Sequence, residues 1–362
     1  MMQYALMIFS FTAGTGDDRM QPTMKDVAKL AGVSQPTVSH VINGTAPISE
    51  SVVKRVNEAI EQLGYIPNAT AKSLKSRKSQ IIGIIVPDVA IRFYAEMVKA
   101  IEMQLRKQGF MMYLCNTLYS NQLEQDYVRT LIQHHVLGVI VGYSLLEEKS
   151  RQLLKKHGIP TVSLDVSDTN HAEHRVYVDN QMLARMAVSH LYDAGARVIS
   201  YCSEPMGVDV LEARYKYFLS AVQEFGLEYD ERRCFIAQNP YDGYNKMKMG
   251  YNIAANILLH DNIDAVFASS DEFAFGIISR LKEHGIDIPQ QMQIMGCDND
   301  PFSKLISPPL TTIWQPINQI AGIGVSMLIS LIEGKKLEET SVCLEPNIII
   351  RESTLKLKSS KG

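Results

Sequence analysis

The chain has 362 residues, of which 46% are hydrophobic and 21% are charged. This composition excludes a disordered chain, a collagen-like fibre and a disulfide-stabilised mini-domain, and the length suits two or three domains of roughly 100 to 200 residues. No run reaches the roughly 18 consecutive apolar residues of a membrane-spanning helix. The five cysteines are scattered, without a Cys-x-x-Cys pair or a metal-binding spacing, which favours a reducing, cytoplasmic location.

Charge is distributed unevenly along the chain. Residues 23–80 contain eight basic and four acidic side chains, although the whole chain has a formal net charge of −3. A basic segment joined to an acidic body indicates a polyanionic partner such as nucleic acid. Residues 1–22 begin with an apolar stretch, but they lack the basic start and the cleavage site of a signal peptide, so we expect a disordered extension or a start codon assigned too early.

The basic segment predicts three short helices with a common core. Thr23 and Asp26 have the spacing of a capping box at the start of the first helix. Gly32 suits a turn that requires a positive φ, and Ser34 and Ser49 are expected to cap the second and third helices. We expect the three helices at residues 24–30, 35–43 and 50–63.

The spacing within the first two helices is typical of a helix-turn-helix. Ala28, Val38 and Val41 stand where this motif needs one small residue and two buried aliphatic residues. An ordinary helical hairpin is the alternative, but it would not require an exposed face of short hydrogen-bonding side chains suited to phosphates and base edges. That face consists of Ser34, Gln35, Thr37, Ser39, His40 and Asn43. The pattern therefore predicts DNA binding.

Residues 24–44, which read Met-Lys-Asp-Val-Ala-Lys-Leu-Ala-Gly-Val-Ser-Gln-Pro-Thr-Val-Ser-His-Val-Ile-Asn-Gly, resemble the headpiece of the lactose/galactose repressor family (LacI/GalR). The resemblance continues through Leu-Gly-Tyr-Ile-Pro-Asn at residues 63–68 and through the rest of the chain. It implies that bases in the major groove are read by Gln35, Pro36 and His40. It implies DNA-backbone contacts by Thr23, Ser34, Thr37, Ser39, Asn43, Ser49, Tyr65 and Asn68. The family usually has arginine in place of His40, and a histidine cannot fork onto guanine as arginine does.

Residues 68–79 form a short basic segment that begins with an asparagine cap. Its eight residues of helical pattern are fewer than the roughly 12 to 15 that an isolated helix needs, so we expect the helix to be conditional. In the family, this segment folds where two copies meet over the minor groove and a leucine wedges between base steps. The matching residues here are Ala71, Leu74 and Lys75. A plain basic linker is the alternative.

Residues 80–362 alternate aliphatic strands with amphipathic helices, which predicts parallel sheets covered by helices on both faces. The expected strands are at residues 81–86, 111–115, 136–141, 161–164, 198–202, 265–268 and 293–296. The resemblance implies two Rossmann-like lobes, similar to periplasmic sugar-binding proteins, that bind an effector and mediate dimerisation. The predicted fold is thus an all-α helix-turn-helix headpiece (23–67), a hinge (68–79) and a two-lobed α/β body (80–362). Because the chain lacks the apolar heptads that assemble some relatives into tetramers, we expect a homodimer.

Polar residues follow several expected strands, at the positions where open parallel sheets collect ligands. A solvated loop carboxylate is the alternative for each of them, but four strands that end in this way favour a polar cleft. Together with matching family segments, they give as expected effector-binding residues Asp88, Phe93, Tyr94, Asp165, Arg214, Tyr244, Ser270, Asp298 and Trp314. This mixture suits a sugar, a nucleoside or a similar small polar metabolite, and its carboxylates disfavour a dianion.

The sequence therefore predicts a transcriptional repressor that binds a pseudo-palindromic DNA operator as a dimer and responds to a small effector. The effector can either release or recruit DNA, since the family contains both cases. The alternative is the same DNA-binding role under a protein co-regulator docked on the body. We expect neither an enzyme nor a bound metal or cofactor, because the chain has no Walker A motif, no Rossmann glycine triplet and no Gly-x-Ser-x-Gly element. An exported solute-binding protein would not need the basic headpiece.

Overall fold

The structure is a computed structural model, and it describes residues 22–66, 80–142, 146–238, 245–260 and 262–354. The chain divides into two units, Met1–Lys78 and Ser79–Gly362. Several predicted features lie outside the described residues. They are residues 1–21 of the expected extension, the expected hinge with Asn68, Ala71, Leu74 and Lys75, and the expected effector contact Tyr244.

The first unit contains a three-helix core. Its helices are α1 (Met24–Ala31), α2 (Gln35–Asn43) and α3 (Glu50–Leu63). Val27, Val38 and Val56 are fully buried between them, and Ala28 is 5% exposed where the helices cross. Gly32 has a φ of 65°, a conformation that strains residues with a Cβ. The helix-turn-helix prediction is confirmed in both its small residue and its turn glycine.

Two of the three expected caps form. The Thr23 hydroxyl accepts a hydrogen bond from the Asp26 amide, and the Asp26 carboxylate accepts one from the Thr23 amide at 2.8 Å, which confirms the capping box. The Ser34 hydroxyl accepts from the Thr37 amide at 3.3 Å. The expected side-chain cap at Ser49 is wrong, because its hydroxyl lies 3.3 Å from a neighbouring serine hydroxyl and makes no cap bond.

The second unit alternates strands and helices. Its strands are β1 (Ile81–Val86), β2 (Met111–Asn116), β3 (Gly138–Val141), β4 (Thr161–Leu164), β5 (Arg175–Val178), β6 (Ile199–Ser203), β7 (Phe235–Ile236), β8 (Ala265–Ala268), β9 (Gln293–Asp298), β10 (Thr311–Trp314), β11 (Ser341–Leu344) and β12 (Asn347–Ile349). Its helices are α4 (Arg92–Lys107), α5 (Asn121–Gln133), α6 (Glu148–Lys156), α7 (Asn180–Asp193), α8 (Asp209–Glu224), α9 (Lys246–Ile257), α10 (Asp271–Glu283) and α11 (Ile317–Ile332). Short 3-10 turns lie at Glu231–Arg233, Pro301–Lys304 and Glu352–Thr354.

The strands form two six-stranded sheets, one in each lobe. The first lobe has the order β11-β5-β4-β3-β1-β2, and all of its pairs are parallel. The second lobe has the order β12-β10-β9-β8-β6-β7, in which only the β10–β12 pair is antiparallel. The chain passes between the lobes after β5, after β10 and after β11. This topology confirms the predicted two-lobed α/β body.

Strand β8 shows why the second lobe is covered on both faces. Successive side chains of a strand point to opposite faces, and all four residues of this strand are fully buried. Ala265 and Phe267 pack in the core beneath α7 and α8, whereas Val266 and Ala268 pack with α9 and α10. A continuous apolar strand of this kind is typical of a parallel sheet between two helical layers.

Two glycines set the close crossing of α9 and α10. A Cβ added at Gly250 would overlap the backbone of Phe273, and a Cβ added at Gly276 would overlap the backbone of Met247. Larger side chains at these positions would therefore separate the helices. Since α9 begins at Lys246 and α10 begins at Asp271, this packing fixes the distance between the two helix starts that face the first lobe.

Candidate DNA-binding helix and inter-lobe cavity

Helix α2 presents the residues that are expected to read DNA bases. Gln35, Pro36 and His40 are exposed, as is Asn43 one turn further along, while Val38 is buried in the core. The proline lies in the first helical turn, where its missing N–H costs no hydrogen bond. The helix therefore has one apolar side that anchors it and an outer side rich in hydrogen-bonding groups.

Local hydrogen bonds hold several side chains of this outer side. His40 Nδ1 lies 2.9 Å from Thr45 Oγ1, which turns the opposite ring nitrogen, Nε2, away from that threonine. Asn43 Nδ2 donates to the Ser39 carbonyl at 2.8 Å. These bonds reduce the number of side-chain conformations, so less entropy is lost when the helix binds a partner.

The residues expected to contact the DNA backbone lie in different surroundings. Thr23 and Ser49 are exposed at the starts of α1 and α3, at the positive ends of the two helix dipoles. Thr37 and Ser39 are half-buried. Tyr65 is only 9% exposed and packs in the core of the three helices, so most of its ring serves the fold.

In the second unit, a cavity lies between the two lobes beside the carboxyl ends of their strands. It consists of two adjoining spaces of about 490 Å³ and about 300 Å³, solvent-open parts included. Both spaces are bordered by Phe93, Lys246 and Asp298. Because it takes side chains from both lobes, we name it the inter-lobe cavity.

Most of the expected effector-binding residues line this cavity. They are Phe93, Tyr94, Asp165, Arg214, Ser270 and Asp298. Asp88 and Trp314 border neither space. The Asp88 carboxylate accepts the Ala90 amide at 2.9 Å and thereby closes a turn, whereas Trp314 is 36% exposed at the end of β10.

An aspartate with a positive φ stands at the end of one strand in each lobe. Asp165 follows β4 with a φ of 52°, and Asp298 ends β9 with a φ of 110°. Residues other than glycine rarely adopt this conformation, and such strain concentrates at binding sites. The Tyr94 hydroxyl donates to Asp165 at 3.2 Å, and Gln315 Nε2 donates to Asp298 at 2.7 Å. Both carboxylates are thus held in place at the cavity.

The electrostatic environment of these two carboxylates favours hydrogen-bond donors as ligands. Burial raises the pKa of Asp298 to about 7, against the opposing effect of the Lys246 ammonium and the Arg214 guanidinium. Burial also raises the pKa of Asp165, against the opposing effect of Arg214. Arg214 is 4% exposed and donates to the Asn180 side chain at 3.0 Å and to the Ser269 carbonyl at 3.2 Å. A ligand hydroxyl or amine that donates to either aspartate would replace part of its lost hydration.

Sequence patterns did not identify a buried ion pair on the cavity wall. Lys246 Nζ lies 2.7 Å from Glu204 Oε1, with side chains that are 13% and 2% exposed. Burial alone would raise the pKa of Glu204, but the ammonium of Lys246 lowers it to about 2. Glu204 follows β6 directly. The expectation that ligand-binding polar residues follow parallel strands would have included Glu204 if this strand had been predicted one residue longer. No comparable signal marks Lys246.

Polar contacts connect the lobes on both sides of the cavity. Arg92 Nε of the first lobe lies 2.7 Å from Asp300 Oδ2 of the second. Elsewhere, Asn170 Nδ2 of the first lobe donates to Asp209 Oδ2 of the second at 2.7 Å. Any movement of one lobe relative to the other must therefore lengthen or exchange these bonds.

Two kinds of feature are absent from the part of the chain that the structure describes. In that part of the chain, no helix is both long and apolar enough to cross a membrane. Among the same residues, no cluster of three or more His, Cys, Asp or Glu side chains could hold a metal ion.

Comparison with known proteins gives two family matches along the chain. Residues 23–68 match the model for bacterial regulatory proteins of the lacI family, and residues 188–354 match a periplasmic binding protein-like domain. The HTH-type transcriptional repressor PurR of Actinobacillus pleuropneumoniae serotype 3 (strain JL03) is 35% identical over 341 residues, which covers 92% of this chain and 99% of that protein.

Solved structures agree with this assignment. The transcriptional regulator CelR in complex with cellobiose is 28% identical, with a TM-score of 0.67 and coverage of 92% of this chain and 99% of that one. A LacI family transcriptional regulator from Enterococcus faecium with bound ribose is 30% identical, with a TM-score of 0.67 and coverage of 77% and 100%. The chain belongs to the lacI family of bacterial regulatory proteins and is a DNA-binding transcriptional regulator with a periplasmic-binding-protein-like body.

Proposed function

We propose that this protein represses transcription as a homodimer whose operator affinity is set by a small polar metabolite bound in the inter-lobe cavity. The observation that carries the proposal is the origin of the cavity wall, which takes Tyr94 and Asp165 from the first lobe and Arg214 and Asp298 from the second. A ligand that contacts both lobes binds one lobe arrangement more tightly than another. That difference in affinity is what shifts a conformational equilibrium.

The DNA-binding part of the proposal assigns residues 23–67 to the headpiece and residues 68–79 to the hinge. Each α2 enters the major groove of one operator half-site, where Gln35, Pro36 and His40 contact bases. The hydroxyl and amide groups around this helix contact phosphates and fix its register. They are Thr23, Ser34, Thr37, Ser39, Asn43, Ser49, Tyr65 and Asn68. At the hinge, the minor groove is contacted by Ala71, Leu74 and Lys75.

The effector in this proposal is a sugar or a nucleoside-like molecule. Phe93 and Tyr94 pack edge to face with ring centroids 5.4 Å apart and both line the cavity, and aromatic rings in such a wall are suited to the apolar faces of sugars and bases. Asp165 and Asp298 accept ligand hydroxyl groups, and Arg214 and Ser270 complete the polar wall. Support for a sugar comes from two relatives, whose structures contain cellobiose and ribose.

Dimerisation is proposed to cover the free edge of the first sheet. Strand β2 is the last strand in that sheet, and it exposes Met111, Tyr113 and Leu114 at 68%, 37% and 42%. An uncovered apolar edge strand is prone to aggregation. A second copy of the chain against this edge would bury it and bring two headpieces to one operator.

Two further parts of the proposal follow from this role. The protein acts by binding and not by catalysis, as expected for a family of transcriptional regulators. It works in the cytoplasm, where its operator is located. A protein co-regulator is not needed in this mechanism, because the inter-lobe cavity supplies a site for a small effector.

The test combines operator selection with an effector panel. Purified protein is bound to a random DNA library, and the affinity for the selected site is then measured with and without cellobiose, ribose and nucleosides. We expect a pseudo-palindromic site and an effector that changes its affinity by about five- to 150-fold. No preference for any sequence over random DNA at moderate ionic strength would reject the proposed function.

Arg214→Ala locates the effector response. This variant should keep its operator affinity and lose the response to the effector, because it removes a cavity residue and leaves the headpiece intact. Arg185→Ala is the matched control, since Arg185 pairs with Glu224 on the exposed surface of the same lobe at 2.8 Å. A normal response in Arg214→Ala would place the effector outside the cavity.

A further inference from the structure

The Glu204–Lys246 ion pair gives the inter-lobe cavity an unusual distribution of charge. An ammonium on the wall of a ligand cavity is an obvious partner for a phosphate or carboxylate group. Here that ammonium is already 2.7 Å from a carboxylate that is 2% exposed. Whether Lys246 is free to bind an anion therefore depends on Glu204.

Glu204 is fully engaged within the protein. Its Oε1 accepts from Lys246 and from the Ser270 hydroxyl, which is 2.9 Å away, and its Oε2 accepts from the Ser269 hydroxyl. Its three donors come from the start of α9, from the turn after β8 and from the residue before α10, so the carboxylate cannot rotate to release Lys246 without breaking several bonds at once. The pair is thus a fixed part of the wall.

The other charges of the cavity do not favour an anion. Asp165 and Asp298 are oriented at its surface, and Glu272 borders the adjoining space. Lys246 interacts electrostatically with Asp298 and Glu272 in addition to Glu204. Arg214 uses its Nε and one terminal nitrogen for bonds within the protein. Carboxylates therefore outnumber the cations with which they share this cavity.

We propose that Glu204 is a specificity-determining residue, which by holding Lys246 makes the inter-lobe cavity select an uncharged polyhydroxy ligand and reject the phosphorylated form of that ligand. The inference rests on the proposed role of the cavity as the effector site. Hydroxyl groups donate to Asp165 and Asp298 without introducing charge. A phosphate would add about two negative charges beside these carboxylates and would find Lys246 already neutralised.

Inorganic phosphate tests this proposal without knowledge of the natural effector. Binding is measured by isothermal titration of the full-length protein at constant ionic strength and pH 7.5. In Glu204→Gln, the amide keeps an oxygen that accepts hydrogen bonds but no longer neutralises Lys246. We expect this variant to bind phosphate about tenfold or more tightly than the wild type, the gain expected from one released charge-assisted contact.

Two further variants separate the cavity from other phosphate-binding surfaces. The double variant Glu204→Gln, Lys246→Met should return to wild-type phosphate affinity, because it removes the released ammonium. Glu124→Gln changes a buried glutamate of the first lobe that accepts the Glu147 amide at 3.1 Å, and it should also match the wild type. No gain in Glu204→Gln, or a gain that persists in the double variant, would overturn the proposal.

The wild type gives a second test that does not depend on the folding of Glu204→Gln. The double variant removes both members of the Glu204–Lys246 pair together, so it is the reference for phosphate binding that involves Lys246. Equal phosphate affinity of wild type and double variant supports the proposal, and tighter binding by the wild type contradicts it. Operator binding is measured separately, so a protein without operator specificity would reject the proposed function while leaving this result on specificity intact.

Discussion

Arg92 of the first lobe is paired with Asp300 of the second, with 2.7 Å between Nε and Oδ2. The Asp300 side chain is 4% exposed, whereas that of Arg92 is 41% exposed. The backbone amide of Arg92 also donates to Glu272 at 3.3 Å, and its guanidinium lies 4.6 Å from the ring centre of Phe302. One residue at the start of α4 thus makes three different contacts with the opposite lobe beside the cavity.

Replacing this arginine should weaken the association of the lobes. We expect Arg92→Ala to lower the free energy of unfolding by about 1 kcal/mol, because water screens a pair whose arginine is partly exposed. Hydrogen exchange of the amides at residues 300–304 should also become faster, since the segment loses its partner. Urea unfolding and hydrogen exchange measure the two effects. Arg129→Ala, which removes an exposed pair with Asp126, is the control, and an equal effect in both variants would argue against an inter-lobe role.

The outer side of α2 should determine operator sequence. We expect Gln35→Ala and His40→Ala each to cost about 1–3 kcal/mol of affinity for the selected operator and to relax base preference at the positions they contact. Affinity for random DNA should change much less, because phosphate contacts remain. Fluorescence anisotropy with operator and mutated operators measures both quantities. Gln62→Ala, at an exposed position of α3, should leave specificity unchanged; a similar loss there would show that α2 is not the reading helix.

The edge strand β2 should decide whether the protein is a dimer. Leu114→Lys places a charge on an exposed apolar edge that is proposed to be buried between two copies, so we expect a shift from dimer to monomer. Operator affinity should fall with it, since the two half-sites are then bound by separate molecules. Sedimentation equilibrium measures the assembly state. Leu259→Lys, at a side chain that is 79% exposed in the second lobe, is the control. A dimer of undiminished stability in Leu114→Lys would exclude this edge from the interface.

Most of the strands that could be predicted from the sequence are buried on both faces, although the exposed edge strand β2 was predicted from its apolar run and β10, buried at three of its four positions, was not. An aliphatic run such as residues 81–86 indicates a central strand from local sequence alone, without information about distant segments of the chain. Strands β5 and β11 were not predicted, because they lie at one end of the sheet and have alternating burial. Strand β7 has two residues, too few for any period. Their position depends on pairing with strands that are distant in sequence, and no local pattern contains that information.

The residues of the candidate site likewise include some that local sequence patterns predict and some that only the folded structure reveals. Asp165 and Asp298 were predicted because each stands at the carboxyl end of a buried parallel strand. The carboxyl ends of such strands lie at the same edge of the sheet, which is where ligands bind. Lys246 and Arg92 were not, because each becomes part of the cavity only through a partner in another segment, Glu204 and Asp300 respectively. Long-range ion pairs of this kind require the folded structure.

The protonation of Asp298 should make the stability of the body depend on pH. Burial raises its pKa to about 7 in the folded protein, whereas an unfolded aspartate has a pKa of about 3.9. Between these values, the folded state binds more protons than the unfolded state. The contribution of Asp298 to stability is therefore fully present below about pH 4 and is lost as the pH rises through about 7, with a slope of at most about 1.4 kcal/mol per pH unit.

Asp298→Asn isolates this contribution, because the asparagine oxygen can still accept the Gln315 hydrogen bond and carries no charge. Urea unfolding is followed through Trp314, the only tryptophan of the chain, which pairs with Asp298 between β9 and β10. We expect the variant to gain stability relative to the wild type as the pH rises from 5 to 8. Asp88→Asn, at a turn that borders neither cavity space, should show no such trend. A pH-independent difference between wild type and Asp298→Asn would mean that this carboxylate stays ionised throughout the range, and that the cavity compensates its burial without a ligand.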